Sequence, residues 1–491
     1  MIMKVGNLGT VLNKRKELLA LAFLFVTSFV LRFYNLSYSE FQGDEIRALY
    51  DRGTPLWDFL IAQKKGPIQF LATYFVSLAS ADYDELLTRF PFALAGLLSV
   101  FVFYFFIKEL YGRRIAFISS LLFSFNGFFV AFSRIVQYQS FTLLFSLLGL
   151  FCLSKLVKRN NPVFLVLSAL SYAVAFLSHY DAAFTVVFAL YFLYLWVKRG
   201  ARTLKYKLVW TFSSLVVFLL LTCSFYVPFV LNPSFSSGTT SYFETRLKGE
   251  EGKTTSTLIT YSVYNPLLSV YLLALSLMVA LLFCFRKVLP VVVWFAFPFL
   301  ILNFMVSVPG THIFNYVLPA SILSAFGLDF IAKQASKNKA FSYVVALTVS
   351  LALGFLFYQS YVIFIDHTVE YPWFEKKILV FTAKLPDDKY HLSLFGFPYN
   401  RSLKLVNWLV WNNPNVRDIQ SNENSKIVRF YVQPLPSLTP NQTAYVYVYG
   451  AQSLMKTKKS IVSKQNPDAV FYRGSVPLSE VFFIKDQNAS K

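Results

Sequence analysis

Acidic residues are scarce in this chain, 25 Asp and Glu against 46 Lys and Arg, and charge of either sign occupies only 14% of its 491 positions. Soluble domains carry about 25% charged residues, so a water-exposed globular chain is excluded. Only three cysteines are present, Cys152, Cys223 and Cys284, each inside an apolar run. They exclude a disulfide framework and a CxxC metal site. Neither a Walker A loop nor the glycine pattern of a dinucleotide fold occurs. The four histidines form no HExxH motif and no close pair in sequence, which argues against a built-in zinc site.

What is abundant is apolar. Hydrophobic residues make up 56% of the chain and aromatic residues 19%, and the mean hydropathy is +0.51. This is the composition of an integral membrane protein. A basic start precedes the first apolar run, and no small-residue cleavage site follows it. A retained signal-anchor helix is expected. A bilayer core of ~30 Å takes about 20 apolar residues per helix. Eleven runs approach that size, at 17–34, 90–110, 114–132, 139–157, 162–178, 182–197, 208–231, 266–285, 289–308, 313–332 and 341–365.

The net charge of +21 could suggest nucleic acid, but its distribution follows the membrane. With the N-terminus inside, the inner segments hold 20 basic residues and two acids, Glu17 and Glu109. The outer segment 35–89 holds five basic residues and eight acids. That alternation is the positive-inside pattern. It predicts a multi-pass plasma-membrane protein with a cytoplasmic N-terminus and an extracytoplasmic C-terminal region. No basic stretch with interleaved aromatics stands apart from those loops, so no nucleic-acid partner is expected.

Two outer loops are long. Residues 35–89 contain amphipathic stretches expected to form short interfacial helices. Residues 232–265 are polar and rich in Gly, Ser and Thr, as lids and binding loops often are. Hydropathy falls after Asp366. The runs IVRFYV, AYVYVYG, AVFYRG and EVFFIK read as strands, and NRSLKLVNWLVW reads as a helix. The expected organisation is a helical membrane domain over 1–365 and a small extracytoplasmic α/β domain over 366–491.

Polar residues that could carry chemistry crowd the outer side: Asp44, Glu45, Lys64, Lys65, Arg89, Arg134, His179, Asp181, Arg246 and His312. ATP and nucleotide sugars are scarce outside the cell. A reaction there is most simply driven by a group activated on a lipid phosphate. It needs a carboxylate to take a proton from an acceptor hydroxyl and cations to stabilise the departing phosphate. Asp44 and Glu45 are the candidate catalytic carboxylates. Lys64, Lys65, Arg89, Arg134, His179, Asp181, Arg246 and His312 are the candidate substrate- and phosphate-binding residues. Each has a plainer reading. Asp44 can pair with Arg47 on one helical face. The lysines can anchor an interfacial helix. Arg89 and Arg134 can snorkel from span ends. SHYD can be a helix cap. Arg246 can be a solvated loop charge. His312, near Thr311 and Asn315, opens a span where an N-cap or a phosphate would both fit.

The stretches FQGDEIRALYDRG and KKGPIQFLATYFVSLASADYDELLTRFPFALAGLL, continuing to FSRIVQYQSFTLLF, resemble the N-terminal half of the C-type (GT-C) membrane glycosyltransferases. The chain is most similar to the protein O-mannosyltransferases and to the aminoarabinose transferases that modify lipid A. The likeness covers roughly residues 17–200 and is weaker over 310–328. It implies a polyprenyl- or dolichyl-phosphate sugar donor, inversion at the anomeric carbon, and a catalytic or acceptor-binding acid in the first outer loop. On that likeness Asp44 and Glu45 match the family's Asp-Glu pair, with a divalent cation at the pair as a possible cofactor. Arg89 and Pro91 match its Arg-x-Pro, and Ser133-Arg134 its Ser-Arg. The chain departs from the pattern at Lys65-Gly66-Pro67, where the lipid A transferases carry Glu-Lys-Pro. It departs again at Gln137, Tyr138 and Gln139, near where many relatives have an aspartate.

The expected fold is thus a multi-pass α-helical membrane protein, GT-C-like, with a small C-terminal α/β domain. The expected partners are a lipid-phosphate sugar donor, a glycan, lipid or protein acceptor, and membrane lipids. Two other functions share parts of this pattern. A polysaccharide polymerase or ligase would use a lipid-diphosphate donor and lean on outer-loop arginines. A transporter would place ionisable groups at mid-membrane and often shows internal repeats, neither of which is seen here.

Overall fold

A computed structural model of the chain describes residues 6–80, 82–199, 202–235, 240, 244, 247, 257–267, 269–370, 376–382, 396–434, 441–450 and 465–485. The apolar runs fold as helices. After α1 (Gly6–Phe33), the first long loop forms α2 (Gly43–Ile46), α3 (Leu56–Ile61) and α4 (Ile68–Ala79), the short helices its amphipathic stretches predict. There follow α5 (Glu85–Tyr111), α6 (Arg113–Phe125), α7 (Gly127–Ser133), α8 (Gln139–Arg159), α9 (Val163–Ser178), α10 (Ala183–Arg199) and α11 (Leu204–Leu231). Beyond the second long loop lie α12 (Thr257–Tyr264), α13 (Ser269–Leu300), α14 (Phe314–Ala335) and α15 (Lys339–Phe364).

Local chemistry sets the boundaries. Asp84 caps α5 by accepting the Leu87 N–H at 2.9 Å. Gly112, with φ of 86°, ends it in a conformation that favours glycine. Asn126 stops α6 with an extended backbone, and its side chain caps α7 by accepting the Phe128 N–H at 3.1 Å. The two helices bend by 63° there.

Among the described residues, seven helices are long and apolar enough to cross a membrane, eight if the bent α6–α7 pair counts as one span. Fewer meet that measure than the eleven apolar runs. α9 has only 16 residues. α1 carries Lys16, Glu17 and Arg32 along its length. The runs expected at 266–285 and 289–308 are joined in one helical stretch, α13 followed by a π turn at Ile301–Met305. That stretch is not straight. The Leu273 carbonyl accepts the Ser324 hydroxyl at 3.3 Å, and the Phe299 ring lies 5.3 Å from that of Tyr316. At 1.5 Å per residue, Leu273 and Phe299 would be about 39 Å apart on a straight helix, but Tyr316 and Ser324 only about 12 Å. The stretch must therefore bend sharply between its two contacts.

Ion pairs tie several helix ends together. Glu17 pairs with Lys108 and Arg113, Glu109 with Lys155 and Lys158, and Asp329 with Arg114 and Lys333. These pairs bring together the ends that the charge pattern assigns to one side.

The C-terminal region is α/β, with α16 (Leu403–Trp411) and α17 (Ser425–Tyr431). After a small two-stranded hairpin of β1 (Lys377–Ile378) and β2 (Phe381–Thr382), four strands follow. They are β3 (Val416–Ser421), β4 (Gln442–Val448), β5 (Ala469–Arg473) and β6 (Val476–Lys485), in the order β3-β4-β6-β5. The pair β3–β4 is parallel and the others antiparallel. IVRFYV, expected as a strand, is helical. Asn424 caps α17 by accepting the Lys426 N–H at 3.0 Å. Ile427, Val428 and Tyr431 then share its buried face, a helical spacing rather than an alternating one.

One large apolar cluster fills the bundle. A second joins the first long loop and α5 to the C-terminal region: Phe41, Leu49, Phe59 and Phe92 pack with Leu403, Val406, Val428 and Val446.

Candidate active site

The segment 38–45 is gripped from two sides. Toward the bundle, Glu45 is 1% exposed and paired with the equally buried Arg89. Arg89 Nε donates to Oε1 and Nη2 to Oε2, each at 2.8 Å. The Gln42 N–H donates to Oε2 at 2.9 Å and the Val136 N–H to Oε1 at 3.0 Å. The remaining Arg89 donors go to the carbonyls of Leu36, Ser39 and Glu40. This buried pair is satisfied on both sides. Glu45 therefore has no oxygen left over for a ligand, and Arg89 no N–H. Both position the loop.

Toward the C-terminal region, the Glu40 carboxylate accepts the N–H groups of Arg401 and Leu403, at 3.0 and 2.6 Å. Burial pushes its acid up to about 7, against the pull of those two N–H groups. Glu370 pairs with Arg401 and Arg473 and accepts the Tyr38 hydroxyl. Tyr431 accepts the Phe41 N–H at 2.6 Å and donates to Glu85 at 2.9 Å.

Between these grips Asp44 stays open. Its side chain is 42% exposed, with one exposed partner, Arg47, at 3.3 Å. The adjacent carboxylates thus have opposite environments. Among the described residues no third carboxylate or histidine joins the pair at ligand distance.

The other candidates converge on the segment after α7. Val136 touches Glu45, and Gln137 accepts from Lys65 Nζ at 3.2 Å. Lys65 also sits over the Tyr138 ring, 4.8 Å from its centroid. Tyr138 stacks on His179, with centroids 3.7 Å apart and planes 10° from parallel. Gly66 allows this approach, because a Cβ there would run into the Leu177 carbonyl. His312 Nδ1 lies 2.8 and 3.0 Å from the two Asp181 oxygens. His179 Nδ1 lies 3.1 Å from both the Asp181 N–H nitrogen and Oδ1. Burial pushes the His179 imidazole down to about 4, against the attraction of Asp181. Ligand atoms of His179, Asp181 and His312 all lie within 4.8 Å of one another, a group of the kind that can hold a metal ion.

Two candidates lie apart from this cluster and one is outside the described residues. Arg134 donates to the carbonyls of Leu31, Tyr34 and Asn35, closing the end of α1. Lys64 is exposed to solvent. Arg246 falls outside the described residues. Sequence reasoning passed over Gln137 and Tyr138 as site members, although their departure from the family pattern was the available signal. It also passed over Glu40 and Tyr431, whose partners are more than 300 residues away.

Residues 65–226 match the family described as dolichyl-phosphate-mannose-protein mannosyltransferase. Among solved structures, apo ArnT from Cupriavidus metallidurans is similar over 95% of this chain and 97% of its own, with a TM-score of 0.53 at 14% identity. ArnT bound to undecaprenyl phosphate gives a TM-score of 0.51 at 13% identity, over 94% and 97%. The oligosaccharyltransferase AglB from Archaeoglobus fulgidus, in complex with an inhibitory peptide and a dolichol-phosphate, gives 0.51 at 13%, over 87% of this chain and 65% of its own. No curated protein matches the sequence. The fold is that of the C-type membrane glycosyltransferases.

Proposed function

We propose that this protein is an inverting membrane glycosyltransferase. It moves a sugar from a polyprenyl-phosphate-linked donor to an acceptor hydroxyl on the extracytoplasmic face of the plasma membrane. The observation that carries this reading is the contrast between Asp44 and Glu45. Glu45 is bonded out by Arg89, while Asp44, on the same turn, is open to an incoming hydroxyl.

Asp44 takes the hydroxyl proton as that oxygen attacks the anomeric carbon. The bond from that carbon to the phosphate oxygen breaks, and the phosphate leaves with the electron pair. Lys65, half-buried against Gln137 and Tyr138 on the segment that joins the two parts of the site, offsets the developing charge. Glu45 and Arg89 hold the turn in register, and Arg134 fixes the end of α1. The lipid phosphates in the ArnT and AglB complexes belong to the donor class proposed here. Residues 366–491 act as an extracytoplasmic domain that shapes the acceptor side, since α17 packs beside Gly43, with Asn424 Nδ2 3.4 Å from where a Cβ would stand.

The test is transfer of radiolabelled sugar from a polyprenyl-phosphate pool in membranes holding equal amounts of wild type and Asp44→Asn. A general base contributes roughly 10²–10⁴-fold. Asp44→Asn is therefore expected to lose transfer by about 100-fold or more while keeping the wild-type melting temperature. Transfer by Asp44→Asn at the wild-type rate would sink this assignment.

A further inference from the structure

A buried carboxylate needs a matching positive charge or several donors. Asp181 is 1% exposed, yet no lysine or arginine among the described residues lies at ion-pair distance from it. Its close partners are two imidazoles, His312 Nδ1 at 2.8 Å and His179 Nδ1 at 3.1 Å.

Proton counting leaves this arrangement incomplete. His312 can donate its Nδ1 proton to Asp181. His179 Nδ1, if it accepts the Asp181 N–H, carries no proton of its own. Nδ1 and Asp181 Oδ1, both then acceptors, lie only 3.1 Å apart. A divalent cation relieves that opposition without a proton. Two Nδ1 atoms and one carboxylate are a donor set that zinc-class ions select.

The surroundings hold those donors in place. Tyr138 stacks flat on His179 and fixes its plane. Asn315 Nδ2 donates to the His312 carbonyl at 2.9 Å and pins that turn. The ligands come from two turns at the outer end of the bundle, one between α9 and α10 and one opening α14.

We propose that His179 Nδ1, the Asp181 carboxylate and His312 Nδ1 bind one zinc-class divalent ion that ties these two turns together. The metal site rests on this geometry and does not depend on the transferase reading. Three protein ligands leave a fourth tetrahedral position, which a phosphate oxygen can take. This second step rests on the proposed transfer from a lipid phosphate.

The test uses full-length, tag-free protein in detergent, stripped with chelator and titrated with zinc. Wild type is expected to take up about one equivalent and to melt higher when loaded. Asp181→Asn and His312→Ala are expected to bind at least about tenfold more weakly, while His312→Cys, which keeps a ligand, retains the ion. Folded wild type that takes up no zinc, or variants that bind as wild type does, would overturn the site. Cobalt-loaded wild type then serves as a spectroscopic probe for inorganic phosphate. A change in its visible bands supports the open position, and unchanged bands remove the phosphate step alone. The Asp44→Asn assay fails or succeeds independently of either result.

Discussion

At the scale of single residues, the adjacent carboxylates Asp44 and Glu45 have opposite environments, one exposed and one buried. Glu45 and Arg89 form a pair in which every strong donor and acceptor is matched. Removing one partner of such a pair leaves a buried, uncompensated charge, which costs about 3–5 kcal/mol. Arg89→Ala is therefore expected to lower the melting temperature sharply. Arg89→Lys restores little, because one ammonium cannot replace a fork that reaches both Glu45 oxygens and three carbonyls. A melting curve in detergent, read beside the transfer rate, checks this. Parallel loss of fold and transfer is expected for Arg89→Ala, against loss of transfer alone for Asp44→Asn. Arg89→Ala with a wild-type melting temperature would contradict the positioning role.

At the scale of elements, the cluster around Lys65 depends on how closely the turn before α4 approaches the end of α9. Gly66 sets that approach, since any side chain there meets the Leu177 carbonyl. Gly66→Ala is expected to displace Lys65 from Gln137 and Tyr138. The donor KM should then rise while the melting temperature falls only modestly, and a KM equal to that of wild type would refute the placement of Lys65 at the phosphate. Element identity itself was legible where the pattern was long. The spans read as about 20 apolar residues each, and β4, β5 and β6 read as alternating or apolar runs. IVRFYV was misread because its six residues are rich in β-formers, while the cap that makes it helical, Asn424, lies outside the run. The break at Asn126 was hidden for the opposite reason. It lies inside one continuous apolar run, and only the backbone bend reveals it.

At the scale of the whole molecule, the C-terminal region and the first long loop pack as one structure. Glu40 is one of the joints between them. Burial raises its acid to about 7, opposed by the Arg401 and Leu403 N–H groups, against an ordinary 4.5. A group whose folded value is raised contributes stability that is fully present below the unfolded value. That contribution is lost as pH rises through the folded value. The attachment of the C-terminal region should therefore weaken between about pH 4.5 and 7, by about 3 kcal/mol at most. Glu40→Gln, which cannot ionise, should flatten this dependence. Limited proteolysis of the C-terminal region across that pH range checks it, and equal pH slopes for the two proteins would remove Glu40 as the cause.

The sequence by itself determined the class of the molecule. Scarce charge, long apolar runs and basic segments on alternating loops have one physical meaning in a bilayer, and they act locally enough to be read residue by residue. It also marked Asp44, because an Asp-Glu pair just outside a span carries its signal in adjacent positions. Only the tertiary structure decided which of the two carboxylates is open, since Arg89 and Val136 come from elements far along the chain. Only the tertiary structure brought His179 and Asp181 to His312, across more than 130 residues, where spacing in the sequence argued against a metal site. Helix formation and membrane insertion depend on near neighbours. The charge state, exposure and ligand geometry of a side chain depend on whatever the fold packs against it.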